Sequence, residues 1–170
     1  DWLKGEIERL IERGEVEPAI DRLNRLLSVS DSTEVKLFCY ENLGILAYRV
    51  GQVSRAKGAF AEAASLMPGD AGLSYALGHC AAATGHWWRV WMHSLEAVHR
   101  ARDPSDEAEF MRLGAIALQN LGRADGALSM FLGALERCPD NPWILDSMTH
   151  FYADQGRLFD ALDTQEALTE

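Results

Sequence analysis

The chain has 170 residues, 48% of them apolar and 25% charged, with 26 acidic against 16 basic side chains and a net charge of −10. That is one domain's length, and about two thirds of the unfolded surface can be buried by a chain of this size. Phosphate backbones and anionic bilayers attract basic footprints, so nucleic-acid binding and membrane-surface binding are both disfavoured.

Five glycines punctuate the chain: Gly14, Gly51, Gly85, Gly122 and Gly156, spaced by 37, 34, 37 and 34 residues. Five positions after each stand Ala19, Ala56, Val90, Ala127 and Ala161, and twelve after stand Leu26, Ala63, Ala97, Ala134 and Leu168. Each glycine falls where one apolar-periodic segment ends and another begins, as expected of a left-handed helix terminus. In chain order, Pro18 falls in the first turn of the second helix, where a missing N–H is harmless. Asp31 or Ser32 is expected to cap a helix starting near Thr33, with Glu34 completing a capping box. Asp70 is expected to cap the next pair and Ser105 the one after Pro104. Asn141 and Pro142 supply an N-cap and an N1 proline for the last pair. Small recurrent residues let two antiparallel helices approach closely, while Phe60 and Phe131 fill the space between pairs. The pattern predicts an all-α chain of about ten helices of roughly 12–17 residues. No alternating β pattern of useful length competes.

The segment 37–70 carries Tyr40, Leu43, Gly44, Gly51, Ala56, Phe60, Ala63 and Pro68, and 108–141 carries Gly122, Ala127, Phe131, Ala134 and Pro139. On these residues the chain resembles the tetratricopeptide repeat (TPR) family, whose unit is a 34-residue helix–turn–helix. The resemblance implies a right-handed α-α superhelix, one TPR domain over 1–170 with repeats at 1–36, 37–70, 71–107, 108–141 and 142–170. The first residue, Asp1, points to excision from a longer parent or to processing. Arg greatly outnumbers Lys and Ala and Gly are abundant, a composition that suits a GC-rich bacterial genome.

The third repeat departs furthest from the pattern, opening its second helix with His86, Trp87, Trp88, Arg89, Val90 and Trp91. Ser94 stands where other copies have an aromatic, and Trp91 is expected to fill the volume that Phe60 and Phe131 fill elsewhere. Trp88 shares its register with Ser54, Asp125 and Phe159, so Trp88 and Phe159 form a candidate secondary interface, with partial burial of Trp88 as the alternative.

No Gly-x-Gly-x-x-Gly, P-loop or His-Glu-x-x-His motif occurs. Gly72-Leu73-Ser74-Tyr75-Ala76 lacks the last glycine of a nucleophile elbow and falls inside a predicted helix. The acidic pairs Asp160/Asp163 and Glu6/Glu8 read as solvated surface rather than as an acid–base pair. His79, Cys80, His86 and His93 lack ligand spacing, so no metal site is expected. Cys39, Cys80 and Cys138 fit neither a disulfide framework nor a zinc ribbon and suggest a reducing compartment. No apolar run reaches bilayer length and no signal-peptide pattern opens the chain, so a cytoplasmic location is expected.

The resemblance implies a concave face built from the first helix of each repeat. Carried over by position, it presents Phe38, Glu41, Ile45, Tyr48 and Arg49, then Tyr75 and His79. Further along come Glu109, Arg112, Ile116, Gln119 and Asn120, followed by Trp143, Asp146, His150 and Asp154. No Lys is placed on this face, which disfavours the carboxylate clamp of TPR proteins that hold chaperone tails. The expectation is a non-enzymatic, cofactor-free module that binds a peptide or helical segment of a protein partner in the groove. The alternatives are a self-assembling scaffold unit and an accessory or sensor domain of a larger enzyme or regulator.

Overall fold

The computed structural model describes residues 2–167 and contains ten α-helices among them. In order they are α1 (Trp2–Glu12), α2 (Val16–Val29), α3 (Thr33–Arg49), α4 (Val53–Leu66) and α5 (Ala71–Ala83). The series continues with α6 (Trp87–Arg100), α7 (Pro104–Asn120), α8 (Ala124–Arg137), α9 (Pro142–Asp154) and α10 (Leu158–Ala167). The chain forms two compact units, Asp1–Leu73 and Ser74–Glu170. Leu168, the last recurrent position, lies outside the described residues.

The five anchor glycines end the first helix of each pair with φ between +70° and +77°. The next residue then donates its N–H to a carbonyl five residues back, as Gln52 does to Ala47 at 2.8 Å and Arg123 to Leu118 at 2.9 Å. This double turn satisfies carbonyls that a helix end leaves open, and it needs the left-handed conformation that glycine adopts at low cost. One local device, repeated five times, thus sets the reversal of every pair.

Helix starts follow the sequence in part. Asp70 Oδ1 accepts the Leu73 N–H at 2.8 Å, and Asn141 Oδ1 accepts the N–H groups of Trp143 and Ile144 at 3.0 and 3.3 Å. Two expected caps are corrected. Ser32 occupies the N-cap of α3, yet its side chain makes no capping bond, and Glu34 pairs with Lys4 at 3.0 Å instead of closing a capping box. Ser105 does not cap α7: Pro104 occupies the N1 region, so Asp103 is the N-cap and accepts the Asp106 N–H at 2.9 Å. The proline's fixed φ starts the helix two residues earlier than the serine reading allowed.

In the first unit Ile7, Ala19, Ile20, Leu23, Cys39 and Leu46 form the core, with Leu3, Leu10, Val16, Leu26, Phe38 and Leu43 packed against it. Gly44 faces the Phe60 ring so closely that a Cβ there would stand 2.5–2.8 Å from three ring carbons. The recurrent glycine is therefore a packing requirement between α3 and α4, since no side chain fits against the ring.

In the second unit Phe131, buried on α8, meets Phe151 of α9 with ring centroids 5.6 Å apart. Around them Ala108, Ala115, Ala127 and Ala134 keep the helices close, while Ile144, Met148 and Tyr152 complete the layer. A second cluster joins Ala81, Val90, Leu113 and Ala117 with Trp87 and Trp91. Trp91 packs against both clusters, consistent with the volume exchange expected from Ser94. The exchange has a local cost, because the Ser94 hydroxyl is buried without a hydrogen-bond partner among the described residues.

Candidate functional site

The first helices of the second unit, α5, α7 and α9, share one connected polar arrangement. Tyr75 on α5 donates its hydroxyl hydrogen to Glu109 Oε1 on α7 at 2.6 Å. Arg112, one turn along α7, donates Nε to Glu109 Oε2 at 2.9 Å and a second guanidinium N–H to Oε1. Its remaining arm donates to Ser147 Oγ on α9 at 3.2 Å, and Ser147 in turn donates to the Trp143 carbonyl at 2.8 Å. The partners stand 34 and 35 residues apart, one repeat each, so side chains at nearly the same register meet across neighbouring pairs.

Aromatic packing holds the start of this chain of bonds. The Tyr75 ring meets His79 edge-on at 4.5 Å between centroids and Phe110 at 4.9 Å. Burial and the bond to Glu109 push the Tyr75 hydroxyl well above its ordinary pKa, so it stays a donor. For Glu109, burial raises the pKa, but hydrogen bonds from Arg112 and Tyr75 outweigh it and hold the carboxylate ionised below the usual range. Those bonds also raise Arg112 further. Burial, then the Arg112 charge, lowers His79, with Glu109 opposing, so the imidazole is kept neutral.

These shifts fix a pH dependence. Neutral His79 is favoured by folding, so its contribution is complete above its unfolded value of 6.5 and declines as pH falls below it. Ionised Glu109 contributes above its unfolded 4.5 and is lost as pH falls through its lower folded value. Acid unfolding of the second unit is expected in two stages, and His79→Gln should remove the earlier one. Denaturant midpoints measured from neutral pH to well below the usual carboxylate range test this; an unchanged profile in the variant would contradict it.

The other predicted face residues take separate places. Ile116 is half-buried, and its carbonyl accepts Asn120 Nδ2 at 2.8 Å, so Asn120 is engaged with its own helix. Gln119 reaches Asp154 Oδ2 on α9 at 2.6 Å. Trp143 is 69% exposed, and His150 lies exposed beside Asp146. In the first unit, α3 spaces Phe38, Glu41, Ile45, Tyr48 and Arg49 by helical turns. Phe38 packs on the core, whereas Ile45, Tyr48 and Arg49 are exposed. Burial and then the Asp70 carboxylate raise the Glu41 pKa. Trp88 and Phe159 are both exposed, Trp88 at 58%.

One expectation changes in detail. Lys4 does reach this set of residues, with its ammonium 5.3 Å from the Phe38 ring centroid, because α1 packs beside α3. Sequence reasoning also passed over Ser147 and Phe110. Ser147 carried a usable signal, since it follows Arg112 by one repeat length and Trp143 by one turn. Ser74 of the failed nucleophile elbow is buried within α5, which provides no strand-to-helix turn to present it. Among the described residues no three His, Cys, Asp or Glu side chains gather as a metal site, and no helix is long and apolar enough to cross a membrane.

No protein-family model and no curated protein sequence matches the chain. Solved structures do. A MamA fragment from Desulfovibrio magneticus RS-1 superposes with a TM-score of 0.83 at 17% identity, over 99% of this chain and 92% of that one. YrrB, described as a TPR protein with an unusual peptide-binding site, gives 0.74 at 20% identity, over 98% and 82%. PilF of Pseudomonas aeruginosa gives 0.83 at 14% identity, over 99% and 74%. With its helices packed in sequence as antiparallel pairs, the chain has the tetratricopeptide-repeat fold.

Proposed function

We propose that the chain is a non-catalytic module that holds an extended or helical peptide segment of a protein partner against its first-helix faces. The observation that carries this reading is the Tyr75–Glu109–Arg112–Ser147 network, which ties α5, α7 and α9 side by side and ends one turn from the exposed Trp143. A face whose polar groups already satisfy one another changes little on binding, and such preorganisation lowers the cost of association. The TPR fold supports a concave binding surface, and similarity to YrrB, with its peptide-binding site, points the same way.

The same network narrows the partner's chemistry. Arg112 is occupied by Glu109 and Ser147, so it is a fixture of the face rather than an open cation for a partner's carboxylate. Asp146 is exposed beside Trp143 and His150. The partner segment is therefore neutral or basic, with an aromatic or aliphatic anchor for Trp143.

Selection from a displayed library of random peptides tests the reading. Enriched sequences should carry an apolar anchor with Lys or Arg nearby. Trp143→Ala and His150→Ala together should weaken capture at least about tenfold, with helicity unchanged by circular dichroism. Both residues are exposed, so the fold does not depend on them. No enrichment, or equal capture by the double variant, would sink the assignment.

A further inference from the structure

Two second helices of the Ser74–Glu170 unit leave apolar side chains uncovered on faces of opposite charge. On α6, Trp88, Met92 and Leu95 are all exposed. Their spacing of four and three places them on one face, away from the buried Val90, Ser94 and Ala97. Arg89 and Arg100 accompany them on the helix and Arg102 follows two residues past its end, and the one carboxylate of the helix, Glu96, is bound to Arg100 at 2.7 Å. Arg89 and Arg102 have no ion-pair partner among the described residues, in a protein whose net charge is −10.

The exposed side of α10 is the converse. Leu158, Phe159 and Leu162 are exposed, Phe159 at 86%. Asp163 and Glu166 lie on the same side, and the helix contains no Lys or Arg. Asp160 is turned to Arg157 at 2.7 Å and takes no part. Phe159 also stands at the register of Trp88, three residues after its anchor glycine.

We propose that α6 of one copy docks on α10 of a second copy. Trp88, Met92 and Leu95 bury against Leu158, Phe159 and Leu162, while Arg89 and Arg102 face Asp163. A second copy is the occupant that the molecule itself supplies with an exposed apolar face of opposite charge. An anionic bilayer would meet α6 alone and be repelled by the rest of the chain. Because two different patches meet, the contact is heterologous: it closes a ring if the rotation allows and otherwise propagates. It uses neither Trp143 nor His150, so it stands apart from the peptide-holding face.

Sedimentation velocity of the 170-residue chain over rising concentration tests the contact. The wild-type chain should self-associate. Trp88→Ala and Phe159→Ala should each weaken association at least about tenfold, with circular dichroism unchanged. Mixing the two variants should restore a 1:1 complex, since one retains an intact α10 and the other an intact α6. A strictly monomeric wild-type chain would overturn the proposal. So would a variant that associates like wild type, or a mixture that stays monomeric.

Discussion

Replacing Phe131 by Ala is expected to lower the unfolding free energy of the Ser74–Glu170 unit by about 3–5 kcal/mol. The ring is fully buried in one cluster with Ala108, Ala115, Ala127, Ala134, Ile144, Met148 and Phe151. The alanines permit close helix approach, yet none can grow to fill the void, so the cavity persists and its lining loses dispersion contacts. Phe131→Leu should cost less, about 1–2 kcal/mol, because most of the volume is kept. Leu132, next in sequence but exposed, provides the control: Leu132→Ala should change stability by less than about 0.5 kcal/mol. Urea titrations of the three variants decide the matter. A Phe131→Ala loss near that of the Leu132 control would mean that α8 and α9 do not pack as described.

The second large effect belongs to Arg112. Arg112→Met should destabilise the same unit by about 2 kcal/mol, between the values for exposed and for buried ion pairs. The guanidinium and carboxylate side chains are 17% and 28% exposed, so solvent screens the pair only partly. Removing the cation strips Glu109 of its donors from Arg112 and leaves Tyr75 as its remaining one. The Glu109 pKa then rises, and its acid-induced loss of stability begins at higher pH. A double-mutant cycle with Glu109→Gln should return a coupling of about 1–2 kcal/mol. Coupling below about 0.5 kcal/mol would show that the network is incidental to stability. The cycle also guards the binding test, because loss of capture in an Arg112 variant can reflect a disturbed face. Trp143 and His150 are free of that ambiguity, being exposed.

The fold was legible because its punctuation is local. A left-handed glycine closing each first helix is required by backbone sterics within a few residues, and five such glycines kept their spacing along the chain. Asn141 and Asp70 acted as caps for the same reason, since a cap needs only the next turn. The Ser105 reading failed on an equally local point, the preference of Pro104 for the start of α7. Gly44 could be recognised as recurrent from sequence, while its reason, the Phe60 ring at the would-be Cβ, lies on the opposing helix.

Sequence by itself therefore determined the repeat unit, its register and the helix on which each candidate residue stands. The tertiary structure alone decided which side chains meet. Arg112 is committed to Glu109 and Ser147, Lys4 lies over Phe38, and Trp143 stays exposed while Trp91 is packed between core clusters. These outcomes depend on approach distances between helices about 30 residues apart in sequence, and a one-dimensional pattern records register without recording contact. The same step turned the −10 charge from a general property of the chain into a distribution, with only acidic charges on α10 and Arg89 and Arg100 on α6.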